Sequence, residues 1–491
     1  MTNWLRRHPL AAFLPLQALI YCWNLGLLSA WCDEAITLLA MRGTVHQLLQ
    51  FVAQDIHPPL YYLLVYYWLK IPLGIDWTVQ ARLLSVSFAL LGTVALDRLW
   101  GSRFEARTRI TLLALWTLSP CLLLYARMCR SYSLQALFAI VASALVVRVT
   151  DKAGRRNAAL LTLALLGSLY THYAAGIALI TTANLFLVYR HRWRTALAID
   201  CAIVMGYLPW ILRLGASLGN WGTNTRNYAL TGSRILEVPV KLAYWGMSFV
   251  MGEAIPDAVL ILGALLLPLV AFVAWRGARR SPEVAGLAAA LGIIGFIGVA
   301  RWVSYPFIPA RLLFVLPFFL MLIACGSAVS RWGRPVVAAT LLLSVSGMWC
   351  YFQKTGFRNK QYPMPIREIA SRIVSESAAG DSAILVDSTN SDPIALTYAL
   401  SVRRSVLYTD QPETPGELTR LLADPRVHTV WFLRNTHDVS PAGLNSMFLT
   451  ELRARMTETV QPYEPYTPLE RALMGSPEAP RYFHELIEFR R

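Results

Sequence analysis

Long apolar runs occupy most of the first 352 residues, and they constrain the fold of this chain more than any other feature. A run of about 20 apolar residues can cross the hydrocarbon core of a bilayer as a helix. The first run, Pro9–Ala30, lacks the features of a cleavable signal peptide and is expected to remain as an anchor. The chain is 56% hydrophobic and 15% charged, whereas soluble proteins carry about 25% charged residues. These values exclude a soluble enzyme, a disordered protein and a secreted disulfide scaffold.

Charge divides the chain into two parts. Residues 1–359 carry 31 Lys and Arg against 12 Asp and Glu, whereas residues 360–491 carry 14 against 17. We therefore predict a transmembrane domain over 1–352 and a soluble external α/β domain over 360–491. A basic excess can indicate nucleic-acid binding, but in a membrane protein it reflects basic cytoplasmic loops, so no nucleic-acid partner is expected.

The arginines predict the topology of the transmembrane domain. Arg6 and Arg7 precede the first run and place the N-terminus in the cytoplasm. The short run Pro58–Leu73 is not expected to span, because a span there would place the basic loop Gly101–Arg109 outside. The prediction is an all-α polytopic bundle of about 11 transmembrane helices with a C-terminal domain outside the cytoplasm. After the first run, the predicted spans are roughly 79–100, 110–126, 132–149, 157–171, 175–189, 196–213, 257–275, 284–300, 311–330 and 335–352. Two external loops result, 31–77 with interfacial helices and 215–256 with interfacial aromatic residues.

The last 130 residues or so read as a small α/β domain. Apolar and β-branched stretches predict three strands at Ala383–Val386, Ser405–Tyr408 and Thr429–Leu433. Helical stretches near 391–401, 414–423 and 443–456 alternate with them. This alternation favours a parallel sheet covered by helices. No glycine-rich phosphate fingerprint is present, so no nucleotide cofactor is assigned.

An acidic pair, Asp33 and Glu34, directly follows the first apolar run. Carboxylates at the edge of a bilayer are costly unless they are solvated, paired or bound to metal, and they are candidates for function. The alternative is a solvated helix end with no role in chemistry.

A second acid precedes two prolines in the same external loop, in the segment Asp55-Ile56-His57-Pro58-Pro59. The proline pair restricts the backbone on both sides and thereby orients Asp55 and His57. Tyr61 follows at the start of the next apolar run. Acids held by short structured elements at one membrane face are suited to acid–base chemistry or to binding a cation.

Several arginines are predicted on the outer face, where the positive-inside rule disfavours them. Arg127 and Arg130 lie with Tyr132 on a short turn between two spans, and Arg301 and Arg311 flank another external turn. Guanidinium groups match phosphate with two parallel hydrogen bonds. The alternatives are snorkelling or ion pairs with the external acids. This set of side chains suits a phosphate leaving group that is delivered by a lipid.

These motifs resemble the GT-C superfamily of integral membrane glycosyltransferases, in particular the family of protein O-mannosyltransferases and the bacterial aminoarabinose transferase. The most specific match is Asp55-Ile56-His57-Pro58-Pro59-Leu60. The family's usual Pro-Arg-Tyr-Leu-Leu reads Pro309-Ala310-Arg311-Leu312-Leu313 here, with an Ala inserted and the Tyr missing. The likeness covers roughly residues 1–352. The other matching segments are Asp33-Glu34, Arg127–Leu134, Tyr170–Tyr173 and Pro209-Trp210.

The resemblance implies an inverting transfer of one sugar from a polyprenyl-phosphate donor to an acceptor hydroxyl on the outer face of the membrane. Asp33 would be the general base, with Glu34 and Asp55 as further catalytic carboxylates. The acceptor would be a glycan, a lipid or a protein, in a bacterial inner membrane. Residues assigned to the donor phosphate are Arg127, Arg130, Tyr132, Arg301 and Arg311. Residues assigned to orienting the acceptor are His57, Tyr61, His172 and Tyr173, although His172 and Tyr173 also fit a packed polar turn.

Metal dependence differs within the superfamily and is left open by the resemblance. The candidate ligands for a divalent cation such as Mg²⁺, Mn²⁺ or Zn²⁺ are Asp33, Asp55 and His57.

Three other functions compete with a single-sugar transferase. A lipid-linked sugar transporter or flippase should show internal repeats or broken helices at the midplane, and no matching halves are visible. An assembly protein would leave the acidic motifs without a purpose, and an oligosaccharide ligase would differ only in the size of its donor.

Overall fold

The structure is a computed structural model, and the chain divides into two compact units. We call Met1–Leu25 with Ala40–Thr355 the membrane unit, and Gly26–Leu39 with Gly356–Arg491 the tail unit. The division places a short piece of the predicted external loop 31–77 with the C-terminal domain. The structure describes residues 4, 7–55, 57–152, 154–215, 234–302, 308–378, 380–387, 392–400, 406–409, 411–435, 444–463, 466–473 and 484–491.

Helices make up the membrane unit. Six of those described are long and apolar enough to cross a bilayer, or seven if one bent pair counts as a single span. The predicted number of about 11 spans therefore remains a prediction. The α-helices of this unit are Leu10–Cys22, Val45–Gln54, Leu60–Leu69, Trp77–Ala95, Ala106–Thr117, Pro120–Ala126, Tyr132–Asp151, Arg155–Leu169, Tyr173–Tyr189, Trp193–Gly215, Arg234–Met251, Asp257–Arg280, Pro282–Trp302, Leu316–Val329 and Gly333–Phe352.

One predicted span is interrupted. The sequence predicts a single helix over 110–126, but Ala106–Thr117 and Pro120–Ala126 meet at an angle of 49°. Pro120 cannot continue the first helix, and it takes the first position of the second. Ser119 caps this new helix by accepting a hydrogen bond from the N–H of Leu122 at 3.2 Å. The segment predicted to span at 110–126 is therefore bent at Ser119 and Pro120.

Two of the short helices lie in the segment that was predicted to be external and not to span. Leu60–Leu69 has 10 residues, a length of about 15 Å and half the thickness of the hydrocarbon core. Val45–Gln54 begins with a capping box in which Thr44 and Gln47 bond each other's backbone N–H groups. The expectation that the run Pro58–Leu73 is too short to cross agrees with these lengths.

A five-stranded mixed sheet forms the centre of the tail unit, in the order β2-β1-β3-β5-β4. Strands β1, β2 and β3 are parallel, as predicted, but β5 pairs antiparallel with both β3 and β4. The sequence did not predict β4 or β5. Every described residue of β4 but the last is exposed, and Glu485 and Glu488 interrupt the apolar pattern of β5. The strands are β1 Ser382–Val386, β2 Val406–Tyr408, β3 Thr429–Asn435, β4 Thr457–Tyr463 and β5 His484–Arg490.

Helices cover the sheet and form two separate apolar clusters of buried residues. One cluster includes Ile369 and Leu396 with Trp431, and the other includes Leu418 and Phe448. The α-helices of the tail unit are Cys32–Ala40, which ends one residue into the membrane unit, Ile366–Glu376, Asp392–Leu400, Thr414–Ala423, Leu444–Arg453 and Pro468–Leu473.

Candidate active site

The proline-pair motif forms a turn that holds Asp55 and His57 against each other. His57 Nδ1 lies 3.0 Å from Asp55 Oδ2 and 2.8 Å from the main-chain oxygen of the same residue. Pro59 then starts the helix Leu60–Leu69, whose first N–H donates to the carbonyl of Tyr170 at 2.9 Å. This bond joins two of the turns that the sequence identified separately.

Arg130 extends this pair into a chain of hydrogen bonds. Its Nη2 lies 3.1 Å from His57 Nε2, and its Nη1 donates to the hydroxyl of Tyr62 at 3.2 Å. Because a guanidinium only donates, this geometry assigns an acceptor to Nε2 and the proton to Nδ1 of His57. Burial favours the protonated Asp55 carboxyl, but the His57 hydrogen bond and the charge of Arg130 together lower its pKa below the ordinary value. Asp55 is therefore a carboxylate at neutral pH.

His172 lies within the electrostatic reach of the same groups. It caps the helix Tyr173–Tyr189 by accepting from the N–H of Ala175 at 3.3 Å. Burial, followed by the charges of Arg311, His57 and Arg130, lowers the pKa of His172 to about 3. The imidazole is therefore neutral at physiological pH.

Arg311 contributes a donor that the described residues leave unpaired. It lies in the 3₁₀ helix Pro309–Val315, which is tied to a neighbouring helix by a bond from Gln135 Nε2 to the carbonyl of Ala310 at 2.6 Å. Arg311 Nη1 is buried and has no hydrogen-bond partner within the described residues. A buried donor without a partner costs about 1–3 kcal/mol, and an anionic oxygen is the acceptor that best satisfies a guanidinium.

Arg127 has different hydrogen-bond partners from Arg130, although the two lie only three positions apart in the sequence. Its side chain is 1% exposed. Nη1 donates to the carbonyls of Tyr21 at 2.9 Å and Trp23 at 2.6 Å, and Nη2 donates to Asn24 at 2.6 Å. Nε donates to the hydroxyl of Tyr351 at 3.0 Å. Arg127 thus satisfies carbonyls at the end of the helix Leu10–Cys22, and its contact with a phosphate remains a prediction.

Replacing Arg127 by Met is expected to lower the free energy of unfolding by about 1–3 kcal/mol, because the buried carbonyl of Tyr21 and the buried hydroxyl of Tyr351 lose a charged donor. Thermal unfolding of the purified protein in detergent measures this loss. The exposed Arg107 provides a control, since Arg107→Met should change the free energy by less than about 0.5 kcal/mol. An Arg127→Met variant with normal thermal stability and weakened binding of polyprenyl phosphate would contradict the structural role.

Two tyrosines that were predicted to orient the sugar acceptor form hydrogen bonds between helices through their hydroxyls. Tyr61 is 1% exposed and shares a 2.7 Å hydrogen bond with Ser85 Oγ. The hydroxyl of Tyr173 accepts from Trp210 Nε1 at 3.0 Å. These contacts account for both hydroxyls by packing, and the role of Tyr61 and Tyr173 toward an acceptor remains a prediction.

Two further residues, Tyr132 and Arg301, were predicted to bind the donor phosphate. Tyr132 is 4% exposed, and its ring meets Tyr125 edge to face at 5.4 Å. Arg301 lies in the last turn of the helix Pro282–Trp302, and its side chain falls outside the described part of the chain.

Two residues near these turns were missed by the sequence analysis. Tyr62 accepts a hydrogen bond from Arg130. Its position five residues after His57 could have identified it as a candidate site residue. Glu253 is 2% exposed and accepts from the hydroxyls of Tyr125, Tyr244 and Ser248. Burial raises the pKa of Glu253, while these hydrogen bonds oppose the rise. Glu253 thereby joins the helix Pro120–Ala126 to the helix Arg234–Met251.

The acidic pair lies in the tail unit, in the first turn of the helix Cys32–Ala40. Glu34 is 1% exposed, whereas Asp33 is partly accessible. Negative charge in the first turn is favoured by the helix dipole. Thr37 Oγ1 donates to the carbonyl of Asp33 at 2.8 Å, which reinforces this turn.

The described residues do not assemble a metal site. No group of three or more His, Cys, Asp or Glu in the described ranges is arranged to hold a cation. Both ring nitrogens of His57 face protein partners, Asp55 on one side and Arg130 on the other. His57 would have to give up one of these contacts to become a ligand.

A bundle of apolar helices with short helices after its first member, together with a C-terminal α/β unit, is a fold that this chain shares with solved structures over nearly its whole length. In particular, the chain is similar to ArnT, the aminoarabinose transferase, from Cupriavidus metallidurans. The apo crystal structure aligns with a TM-score of 0.59 at 11% identity over 97% of both chains. The structure bound to undecaprenyl phosphate aligns with a TM-score of 0.56 at 12% identity over 97% of both chains.

A second solved protein is less similar to this chain in fold. An Archaeoglobus fulgidus oligosaccharyltransferase in complex with Zn and sulfate aligns with a TM-score of 0.48 at 12% identity, over 86% of this chain and 67% of that one. No protein-family model and no curated protein sequence match the chain. The resemblance to the GT-C superfamily is thus confirmed at the level of the fold.

Proposed function

We propose that this protein is an inverting glycosyltransferase that moves one sugar from a polyprenyl-phosphate donor to an acceptor hydroxyl at the outer face of a bacterial inner membrane. The observation that carries the proposal is the hydrogen-bonded chain of Arg130, His57 and Asp55, together with the buried Nη1 of Arg311, which has no hydrogen-bond partner within the described residues. The fold similarity to a protein crystallised with undecaprenyl phosphate supports the choice of donor.

The leaving group explains why two arginines are needed. As the bond between the anomeric carbon and the phosphate oxygen breaks, negative charge develops on the lipid phosphate. Arg130 and the unpaired Nη1 of Arg311 would stabilise that charge, an effect often worth about 3–4 kcal/mol for each donor in a preorganised site. His57 and Asp55 hold the Arg130 guanidinium in one orientation through the observed hydrogen bonds.

The acceptor must lose a proton as the new bond forms. In the proposal, the Asp33 carboxylate takes the hydroxyl proton while the acceptor oxygen attacks the anomeric carbon from the side opposite the phosphate. The products are the glycosylated acceptor with an inverted anomeric centre, the polyprenyl phosphate and the protonated Asp33.

Purified protein in detergent is expected to transfer radiolabelled sugar from an undecaprenyl-phosphate-linked donor to an acceptor glycan, lipid or peptide from the same membrane. Accumulation of undecaprenyl phosphate, in equal amount to the transferred label, measures the reaction. Protein inactivated by heat is the control. A flippase would instead move the intact labelled donor between leaflets of a liposome and leave the label on its original lipid, which would overturn the proposal.

A further inference from the structure

The segment that carries the acidic pair is built into the tail unit, although more than 300 residues separate them in sequence. Arg367 Nη1 donates to the carbonyl of Gly26 at 2.9 Å, and the backbone N–H of the same residue donates to Ser29 Oγ at 3.1 Å. Ser29 Oγ in turn lies 3.5 Å from Glu368 Oε2. These contacts attach the entry of the segment to the start of the helix Ile366–Glu376.

An aromatic contact holds the segment just before the acidic pair. The rings of Trp31 and Tyr362 meet edge to face, with centroids 5.2 Å apart and an interplanar angle of 85°. Both residues are buried, at 7% and 2% exposure. Ala35, one helical turn later, is fully buried in the same apolar cluster as Ile366 and Ile369. The segment therefore has apolar as well as polar contacts with the tail.

Burial along the helix Cys32–Ala40 shows how these contacts orient Asp33. Asp33, Ile36 and Ala40 are partly accessible and follow the spacing of one helix face. Glu34 and Ala35 lie on the buried side. A helix of nine residues is too short to be stable alone in water, so its order and its orientation come from packing.

We propose that the tail unit positions Asp33 for catalysis, and that Tyr362 and Arg367 are the positioning residues. The inference rests on the proposed role of Asp33 as general base and extends it to a part of the chain far from the membrane motifs. Neither residue is assigned any contact with substrate. They act by holding the segment 26–39 so that Asp33 stays on the accessible face of its helix.

The Tyr362→Leu and Arg367→Ala variants are expected to lower kcat by about 10- to 100-fold, because a displacement of about 1 Å at a catalytic group has an effect of this size. The KM for the donor should change less than about twofold. Phe448→Leu is the matched control for Tyr362→Leu, since Phe448 is fully buried on the other side of the sheet. Arg420→Ala, on the exposed face of another tail helix, is the control for Arg367→Ala.

A double-mutant cycle separates positioning from general destabilisation. If Tyr362 acts through Asp33, then Tyr362→Leu should cause no further loss of the residual activity of Asp33→Asn. An equal loss in both backgrounds, or an equal loss in Phe448→Leu, would overturn the proposal.

A second readout does not depend on activity. Cys32 is 7% exposed and lies directly before Asp33, so its alkylation rate, resolved by mass spectrometry, reports whether the segment is held. We expect the rate to rise at least fivefold in Tyr362→Leu and to stay unchanged in Phe448→Leu. Unchanged alkylation in Tyr362→Leu would overturn the inference. Full transfer by Asp33→Asn would instead overturn the role of Asp33 in the proposed function, whatever the alkylation result.

Discussion

Asp33→Asn is expected to lower kcat for sugar transfer by about 10²- to 10⁴-fold, the usual contribution of a general base. Asn has the same shape as Asp and keeps a hydrogen-bond acceptor, but it cannot take the proton of the acceptor hydroxyl. The donor should still bind, because Asp33 is assigned no contact with the phosphate. Initial rates of label transfer at saturating donor measure the effect, and binding of undecaprenyl phosphate should remain within about twofold.

A matched control for this variant is Asp151→Asn, which removes one carboxylate of the same size from an exposed helix end. It should transfer sugar at the normal rate. Thermal unfolding of both variants checks that the fold survives. Normal transfer by Asp33→Asn would remove Asp33 from the mechanism.

Arg130→Ala should reduce kcat by about 10²- to 10³-fold, since it removes a donor aimed at the developing charge. It also removes the partner of His57 Nε2 and of the Tyr62 hydroxyl. Arg130→Lys should recover only part of this loss, because an ammonium group keeps the charge but lacks the planar fork that bonds both partners. Rates of transfer and the Kd for undecaprenyl phosphate are the two measurements.

The comparison with Arg107→Ala separates a local effect from the loss of one positive charge. Arg107 is exposed and has no role in the proposal. Arg107→Ala should therefore have the same kcat and the same Kd for undecaprenyl phosphate as the unmodified protein. An Arg130→Ala variant with the normal Kd for the lipid phosphate and the normal kcat would exclude Arg130 from the donor site.

The apolar pattern predicted most helices of the membrane unit and three strands of the tail, because both kinds of element follow from periodicity within a short stretch. The break at Ser119 was also readable, since a Ser followed by a Pro is a local signal for a new helix start. Strands β4 and β5 could not be predicted from the sequence. Their pairing depends on partners far along the chain, and β4 has almost no buried face of its own.

The motifs single out turns that hydrogen bonds join in the structure, but they do not specify how each side chain is used. Arg127 and Arg130 belong to one motif and are both largely buried, yet one donates to carbonyls and the other to His57 and Tyr62. That difference depends on where the chain around Trp23 passes, which no local pattern specifies. The link between Leu60 and the carbonyl of Tyr170 is equally non-local.

The contacts of Arg127 have a consequence for biosynthesis. Its guanidinium bonds carbonyls at the end of the first helix, which is made early, and the hydroxyl of Tyr351, which is made 224 residues after Arg127 itself. At about 5–20 residues per second, the ribosome needs roughly 10–45 s to cover that interval. During that time the nascent protein holds a buried cation whose last partner has not yet been synthesised. The last helix of the membrane unit, Gly333–Phe352, therefore supplies the hydroxyl that completes the hydrogen bonds of Arg127 at the end of the first helix.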